Sequence, residues 1–231
     1  MNFLRRLADK VFARFVDLLL HKVDERLLHP RRLLHLDAQK EAADYAQRHM
    51  QDALIVNGYR DILAIALERM PDQGNILEFG VGGGESIRWI AGNTRRQVIG
   101  FDSFEGLPED WHGRHEGKGH YSTHGSLPAV PTNVTLIKGW FNETLPDFLE
   151  TNQDPVALLH VDCDLYSSTK TVLDSLASRI VPETVIVFDE YFNFISWRQH
   201  EYRAFQEFVA ETGVKYRYVC WAYQQVMVII E

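Results

Sequence analysis

The residues best equipped for chemistry sit where apolar runs end. One such run stops at Glu78-Phe79-Gly80-Val81-Gly82-Gly83-Gly84-Glu85. Glycines between a strand and a helix permit a tight turn and let a ligand come close to the helix N-terminus. The spacing excludes two common ligands. A dinucleotide fingerprint counted from Gly80 would need glycine where Glu85 stands, and counted from Gly82 it would need one at Ile87. A phosphate-binding loop would end in Gly-Lys-Ser or Gly-Lys-Thr, and neither follows. Glu78 and Glu85 would repel a pyrophosphate, whereas a ligand with cationic groups would meet no such penalty. The next apolar run ends at Asp102-Ser103, and a carboxylate there accepts hydrogen bonds from ribose hydroxyls. Glu78, Gly80, Gly82, Gly84, Asp102 and Ser103 are therefore the candidate cofactor contacts.

Two later apolar runs stop at paired acids, one at Asp162-Cys163-Asp164 and the other at Asp189-Glu190. Neighbouring parallel strands lie about 4.8 Å apart, so these carboxylates converge. Converging carboxylates repel, and without a cation some must hold protons. Oxygen ligands of this kind suit Mg2+, Ca2+ or Mn2+, which makes Asp162 and Asp189 candidate metal ligands. Asp164 has a second reading, as a cap for the helix that begins near Ser167-Ser168-Thr169. Residues 103–132 hold five glycines, three prolines and four histidines with little apolar periodicity. A segment of that kind is functional or disordered, and it hangs over the sheet edge where open α/β folds bind ligands. His112, His115, His120 and His124 could form a zinc cluster, but the glycines between them leave the geometry open. The preferred reading is a solvated lid whose histidines contact substrate. Asp162, Asp164 and His124 are the candidate catalytic residues, and the choice of general base between Asp164 and a histidine stays open.

Positioning these groups requires strands alternating with helices. Strand patterns cover residues 75–81, 97–102, 133–138, 156–163, 184–189, 216–222 and 225–230, and helical patterns cover 84–92, 143–151, 168–180 and 198–212. That alternation predicts a seven-stranded, mostly parallel sheet covered on both faces. Only Tyr223-Gln224 separates the last two runs, which predicts an antiparallel closing pair. Residues 1–70 read as an N-terminal helical accessory segment and 71–231 as the domain that carries the site. In the first of these, Leu4, Leu7, Val11, Phe15 and Leu18 mark one helical face, and Pro30 ends the helix. The period resumes over residues 37–70.

Composition narrows the partners. The 231 residues are 45% hydrophobic and 24% charged, which excludes disorder and fibrous repeats. A net charge of −8 argues against nucleic acid, whose phosphates need clustered Lys and Arg. Residues 1–35 carry eight basic and four acidic residues, +4 in all, which leaves −12 for the rest of the chain. The preferred partner for this amphipathic stretch is its own domain or a sister subunit, hence a homo-oligomer, with peripheral membrane contact through residues 3–28 as the second reading. Its longest apolar stretch, Leu18-Leu19-Leu20, is far below the roughly 7–15 residues of a signal peptide or the ~20 of a spanning helix. Cys163 and Cys220 both sit in apolar runs, as buried thiols of a reducing compartment do, so a cytoplasmic location is expected.

Five motifs in order then carry a resemblance. They are Glu78-Phe79-Gly80; Phe101-Asp102-Ser103-Phe104-Glu105-Gly106-Leu107-Pro108; Gly139-Trp140-Phe141-Asn142-Glu143-Thr144-Leu145-Pro146; His160-Val161-Asp162-Cys163-Asp164-Leu165-Tyr166-Ser167-Ser168-Thr169; and Val187-Phe188-Asp189-Glu190-Tyr191. Together they resemble the macrocin O-methyltransferase (TylF-like) family of class I S-adenosylmethionine-dependent methyltransferases. The resemblance implies a Rossmann-like α/β fold, S-adenosylmethionine as cofactor, and Mg2+ or Mn2+ held by Asp162, Asp189 and Glu190. The last of these stands where the family pattern has Asp. It also implies that Trp140 and Phe141 flank the adenine, and that the acceptor is a hydroxyl of a sugar or another small-molecule natural product. Two alternatives are weighed beside it: a non-catalytic S-adenosylmethionine-binding module and a nicotinamide-dependent oxidoreductase.

Overall fold

The structure, a computed structural model, describes residues 2–231, with side chains described from residue 10 onward. The apolar runs become strands because each can be buried on both faces. β5 (Val156–Val161) and β6 (Val185–Phe188) are buried at every position, as near-continuous apolar strands of a parallel sheet must be. β2 (Asn75–Phe79), β3 (Val98–Asp102) and β4 (Val134–Lys138) extend the sheet on one side. On the other side stand β8 (Val226–Ile230) and β7 (Tyr216–Trp221). β8 is antiparallel to both β6 and β7, so the expected closing pair is present.

The sheet has eight strands, in the order β1-β7-β8-β6-β5-β2-β3-β4, and not the expected seven. The extra strand, β1 (Leu54–Ile55), pairs in parallel with Cys220 and Trp221 at the edge. Two residues leave no periodic trace in a sequence, and only the neighbouring strand makes them β structure. Helices α2 (Pro30–His49), α5 (Phe141–Thr151), α6 (Tyr166–Leu176) and α7 (Glu201–Thr212) supply the core on one face. Helices α3 (Tyr59–Arg69) and α4 (Glu85–Gly92) supply it on the other.

The helices before residue 70 contribute to the core around the sheet. Ala38, Ala42, Tyr45 and Ala46 of α2 share the core with α6 and α7, and Ile62, Leu63 and Ala66 of α3 pack beneath β6 and β8. The Tyr45 hydroxyl also hydrogen-bonds that of Tyr218 at 2.6 Å, tying α2 to β7. Only α1 (Asn2–Leu28) and the start of α2 stand away from the body, with Phe12 68% and Leu28 81% exposed. Leu4 and Leu7 of the expected helical face lie outside the residues whose side chains are described. Pro30 ends α1 as expected and opens α2, where its missing N–H costs nothing. The 37–70 period is interrupted: α2 closes at Met50, and α3 begins only after Gly58. Among the described residues no helix is long and apolar enough to cross a membrane.

Residues 103–132 contain neither helix nor strand, yet their backbone is tied down. Leu107 and Gly119 donate to His120 and Leu107 at 2.9 Å each, and the amides of Thr123 and Gly125 both donate to the Phe104 carbonyl. Gly106, at φ +80°, lies so close to the His120 carbonyl that a Cβ would collide with it. The segment is a fixed roof over the carboxyl ends of the strands.

Candidate functional site

Beneath this roof a cavity of about 670 Å³ opens at the carboxyl edge of β2, β3 and β5. One wall is the glycine turn between β2 and α4. Gly80 adopts φ +93°, and a Cβ there would run into the Asp162 carbonyl, so glycine is required where the turn crosses the end of β5. Asp102 holds the turn from below. Its Oδ2 accepts the N–H groups of Val81 and Gly82 at 2.8 and 2.7 Å, and its Oδ1 accepts that of Phe104 at 2.7 Å. Of the residues read as cofactor contacts, Gly80, Gly82, Asp102, Ser103, Trp140 and Phe141 all line the cavity.

Glu78 and Gly84 do not. Glu78 is fully buried under the turn, with Oε1 accepting from the Ser86 hydroxyl at 3.0 Å and Oε2 paired with His160 Nδ1 at 3.0 Å. Burial alone would lower the His160 pKa, but the hydrogen bond and charge of Glu78 outweigh it and raise it. Gly84, at φ +77°, caps α4 and packs against Arg88 and Pro128.

The opposite wall is acidic. Carboxylate oxygens of Asp162, Asp164 and Glu190 lie within 4.8 Å of one another, and all three residues line the cavity. Asp164 is brought in by backbone strain: it sits at φ +65°, and the Leu165 amide donates to the Cys163 carbonyl at 2.6 Å across it. Such a γ-turn costs about 1–3 kcal/mol and survives only where the surroundings enforce it. Asp189 is not a member of the cluster, although its charge helps to raise the Asp162 pKa. Asp189 and Glu190 lie in the bend that follows β6, and Glu190, the departure from the family pattern, is the one that reaches the cluster.

Burial first, then the neighbouring carboxylates, push Asp162, Asp164 and Glu190 well above the usual carboxylate range. Glu201, at the start of α7, is fully buried behind them and is raised by burial and by Glu190 and Asp189. Its Oε2 accepts the Glu190 N–H at 3.0 Å, while its Oε1 and Glu190 Oε2 have no partner. A crowd of hard oxygen donors with orphaned lone pairs and mutual repulsion fits a divalent cation. Among the described residues no histidine joins a metal-ligating group. His124 is exposed and does not line the cavity, its amide being bonded to Ser122 Oγ at 3.0 Å.

Sequence reasoning missed several residues. Tyr121 reaches the cavity from the roof at φ +65°; burial, and then Asp164, Glu116 and Glu190, push its pKa up to about 12. Asn142, Ser167, Ser168 and Thr171 also line it. The last three share the first turns of α6 and were legible only as a helix start. Glu201 had one readable signal, an acid in the first turn of an amphipathic helix, where it normally reads as a dipole partner.

Residues 77–191 match the family described as a methyltransferase domain. Over 141 residues, 51% of this chain, the sequence is 32% identical to the 8-demethyl-8-(2,3-dimethoxy-alpha-L-rhamnosyl)-tetracenomycin-C 4'-O-methyltransferase of Streptomyces olivaceus. It is 28% identical over the same length to the demethyldecarbamoylnovobiocin O-methyltransferase of Streptomyces niveus. The matched stretch spans about half of these curated relatives, 53% of each. Among solved structures, a calicheamicin methyltransferase superposes with a TM-score of 0.59 at 23% identity, covering 74% of this chain and 76% of its own. The O-methyltransferase NovP does so with a TM-score of 0.53 at 23% identity, covering 74% and 78%. At that identity the likeness concerns architecture, and the architecture is that of class I methyltransferases.

Proposed function

With a methyltransferase domain matched over residues 77–191, we propose that this protein is an S-adenosylmethionine-dependent O-methyltransferase that uses a divalent cation, Mg2+ or Mn2+, on a hydroxyl of a sugar-bearing or other small-molecule natural product. The observation that carries the reading is the pairing of two walls in one cavity, a glycine turn cradled by Asp102 and a cluster of convergent carboxylates. The macrocin family reading, with its sugar hydroxyls, is supported by the names of the two Streptomyces relatives.

In this reading the glycine turn admits the donor's amino-acid end close to its backbone, and Asp102 keeps that turn rigid. Trp140 and Phe141 flank the adenine, with Phe141 itself braced edge-on against Phe79 at 5.2 Å. S-adenosylmethionine would supply a methyl group on a sulfonium, and attack of an acceptor oxygen on that carbon in line would release S-adenosylhomocysteine. Asp162, Asp164 and Glu190 would hold the cation, which when bound lowers the pKa of a hydroxyl and steadies the alkoxide. Asp164, turned into the cavity by its γ-turn, accepts the hydroxyl proton on a carboxylate oxygen. The roof, with Leu107, Pro108 and Tyr121, excludes water from the methyl path. Catalysis is then chiefly positioning and electrostatics. Self-association through the exposed apolar side of α1 and a cytoplasmic location complete the reading; the first is supported by Phe12, Phe15 and Leu19 standing open, the second by two buried free thiols.

The test is calorimetric titration with S-adenosylmethionine, with EDTA and with Mg2+, followed by mass spectrometry of products from glycosylated and catecholic acceptors. Binding together with metal-dependent formation of S-adenosylhomocysteine is expected. No binding at millimolar donor overturns the proposal.

A further inference from the structure

The acidic cluster has a cation of its own. Arg114, on the roof turn between Trp111 and Glu116, brings Nη2 to 3.6 Å from Glu190 Oε1, with both side chains largely buried. Its guanidinium lies 4.3 Å from the centre of the Trp111 ring and 5.0 Å from that of Phe194. The turn is pinned: Trp111 donates to the Glu116 carbonyl at 3.0 Å, Arg114 to the Trp111 carbonyl at 3.1 Å, and the His112 carbonyl meets His200 Nε2 at 2.9 Å. Among the described residues no other lysine or arginine forms an ion pair with Asp162, Asp164, Asp189, Glu190 or Glu201. Glu190 is thus a shared carboxylate, with Oε1 toward the arginine and Oε2 without a partner.

Resting on the reading that Asp162, Asp164 and Glu190 take a divalent cation, we propose that Arg114 is the resident counter-ion of this cluster and competes with that cation for Glu190. A fixed positive charge on one side of a carboxylate opposes a second on the other side, and a largely buried site screens the repulsion poorly. The two rings hold the guanidinium in place, so it cannot relieve the repulsion by swinging into water. Position is not what it supplies, because the Glu190 backbone is already held by Glu201. Removing the charge therefore strengthens the hold on a cation. Arg114 tunes how tightly the metal is kept and lets five neighbouring acids coexist without it.

Mn2+ binding to EDTA-treated protein, followed by electron paramagnetic resonance of the free ion, tests this. Arg114→Gln is expected to bind Mn2+ about tenfold more tightly than wild type, the equivalent of 1.4 kcal/mol. Arg114→Lys, whose charge is not stacked and can turn toward water, should bind roughly threefold more tightly. Arg203→Gln, which breaks the pair with Glu207 on the outer side of α7, should leave the affinity unchanged. Equal or weaker binding in a natively folded Arg114→Gln overturns the role of Arg114 while leaving the metal reading intact. Should that variant not fold, unchanged affinity in Arg114→Lys overturns it in the same way. Absence of Mn2+ binding in wild type overturns the metal reading, and this inference with it.

Discussion

The two walls of the cavity are built on opposite electrostatic principles. On the glycine side both acids have found partners within the protein: Asp102 accepts three backbone amides, and Glu78 is divided between Ser86 and His160. On the acidic side Glu190 and Glu201 each keep a buried oxygen with no partner, and four carboxylates are held above their usual pKa range. The acids of the first wall are satisfied by the protein alone, and that wall offers shape. The second is left short of positive charge, which a bound cation relieves. Gly80 joins them, because its backbone runs against the Asp162 carbonyl.

Replacing an acid at the centre of the unsatisfied wall should have the largest effect. Asp162→Asn is expected to lower turnover by about 10²–10³, the usual loss when one electrostatic partner of developing charge is removed. S-adenosylmethionine affinity should stay within a few-fold of wild type, so steady-state kinetics and calorimetry on one sample separate the walls. A parallel collapse of donor binding would break the contrast.

Asp102→Asn probes the satisfied wall. The amide nitrogen would replace an acceptor facing a backbone donor, at a cost of about 1–3 kcal/mol in stability. Donor affinity should fall while Mn2+ affinity does not, which thermal melts and paramagnetic titration would reveal.

The pH dependence follows from the direction of the shifts. Carboxylates raised in the folded state stay protonated there at pH values where the unfolded chain, with ordinary values near 4, has already lost those protons. The folded state then binds more protons, so stability contributed by the cluster is present below about pH 4 and is lost as pH rises toward the raised values. Melting temperature in EDTA should therefore decline as pH rises above the ordinary carboxylate range near 4, and Mn2+ should flatten the decline by binding the ionised form. A flat profile in EDTA would show that the second wall carries no frustration.

The smallest effect is expected at Asp189. It lies outside the cluster and acts through its charge on Asp162, so Asp189→Asn should reduce turnover by no more than about tenfold. A loss as deep as that of Asp162→Asn would restore it as a ligand and sharpen the boundary between the walls.

Much of this molecule is written locally. Apolar runs that end in glycine or acid marked β2, β3, β5 and β6 and the edge where they converge, because burial of a parallel strand on both faces is a property of the run itself. The turn at Gly80, the acid at Asp102 and the irregular roof were legible for the same reason. What the sequence left open are matters of direction and of partners distant along the chain. The bend after β6 and a γ-turn, together with the packing that enforces them, bring Asp164 and Glu190 to the cluster and leave Asp189 out of it. Glu78 reads as a cavity residue in its motif but is drawn under the turn by His160, 82 positions away. β1 exists only because β7 offers it an edge, and Arg114 meets Glu190 only because the roof folds back over the sheet. Spacing along a chain carries periodicity, whereas the facing of a side chain at a strand end and the pairing of buried charges are decided by the elements packed against them.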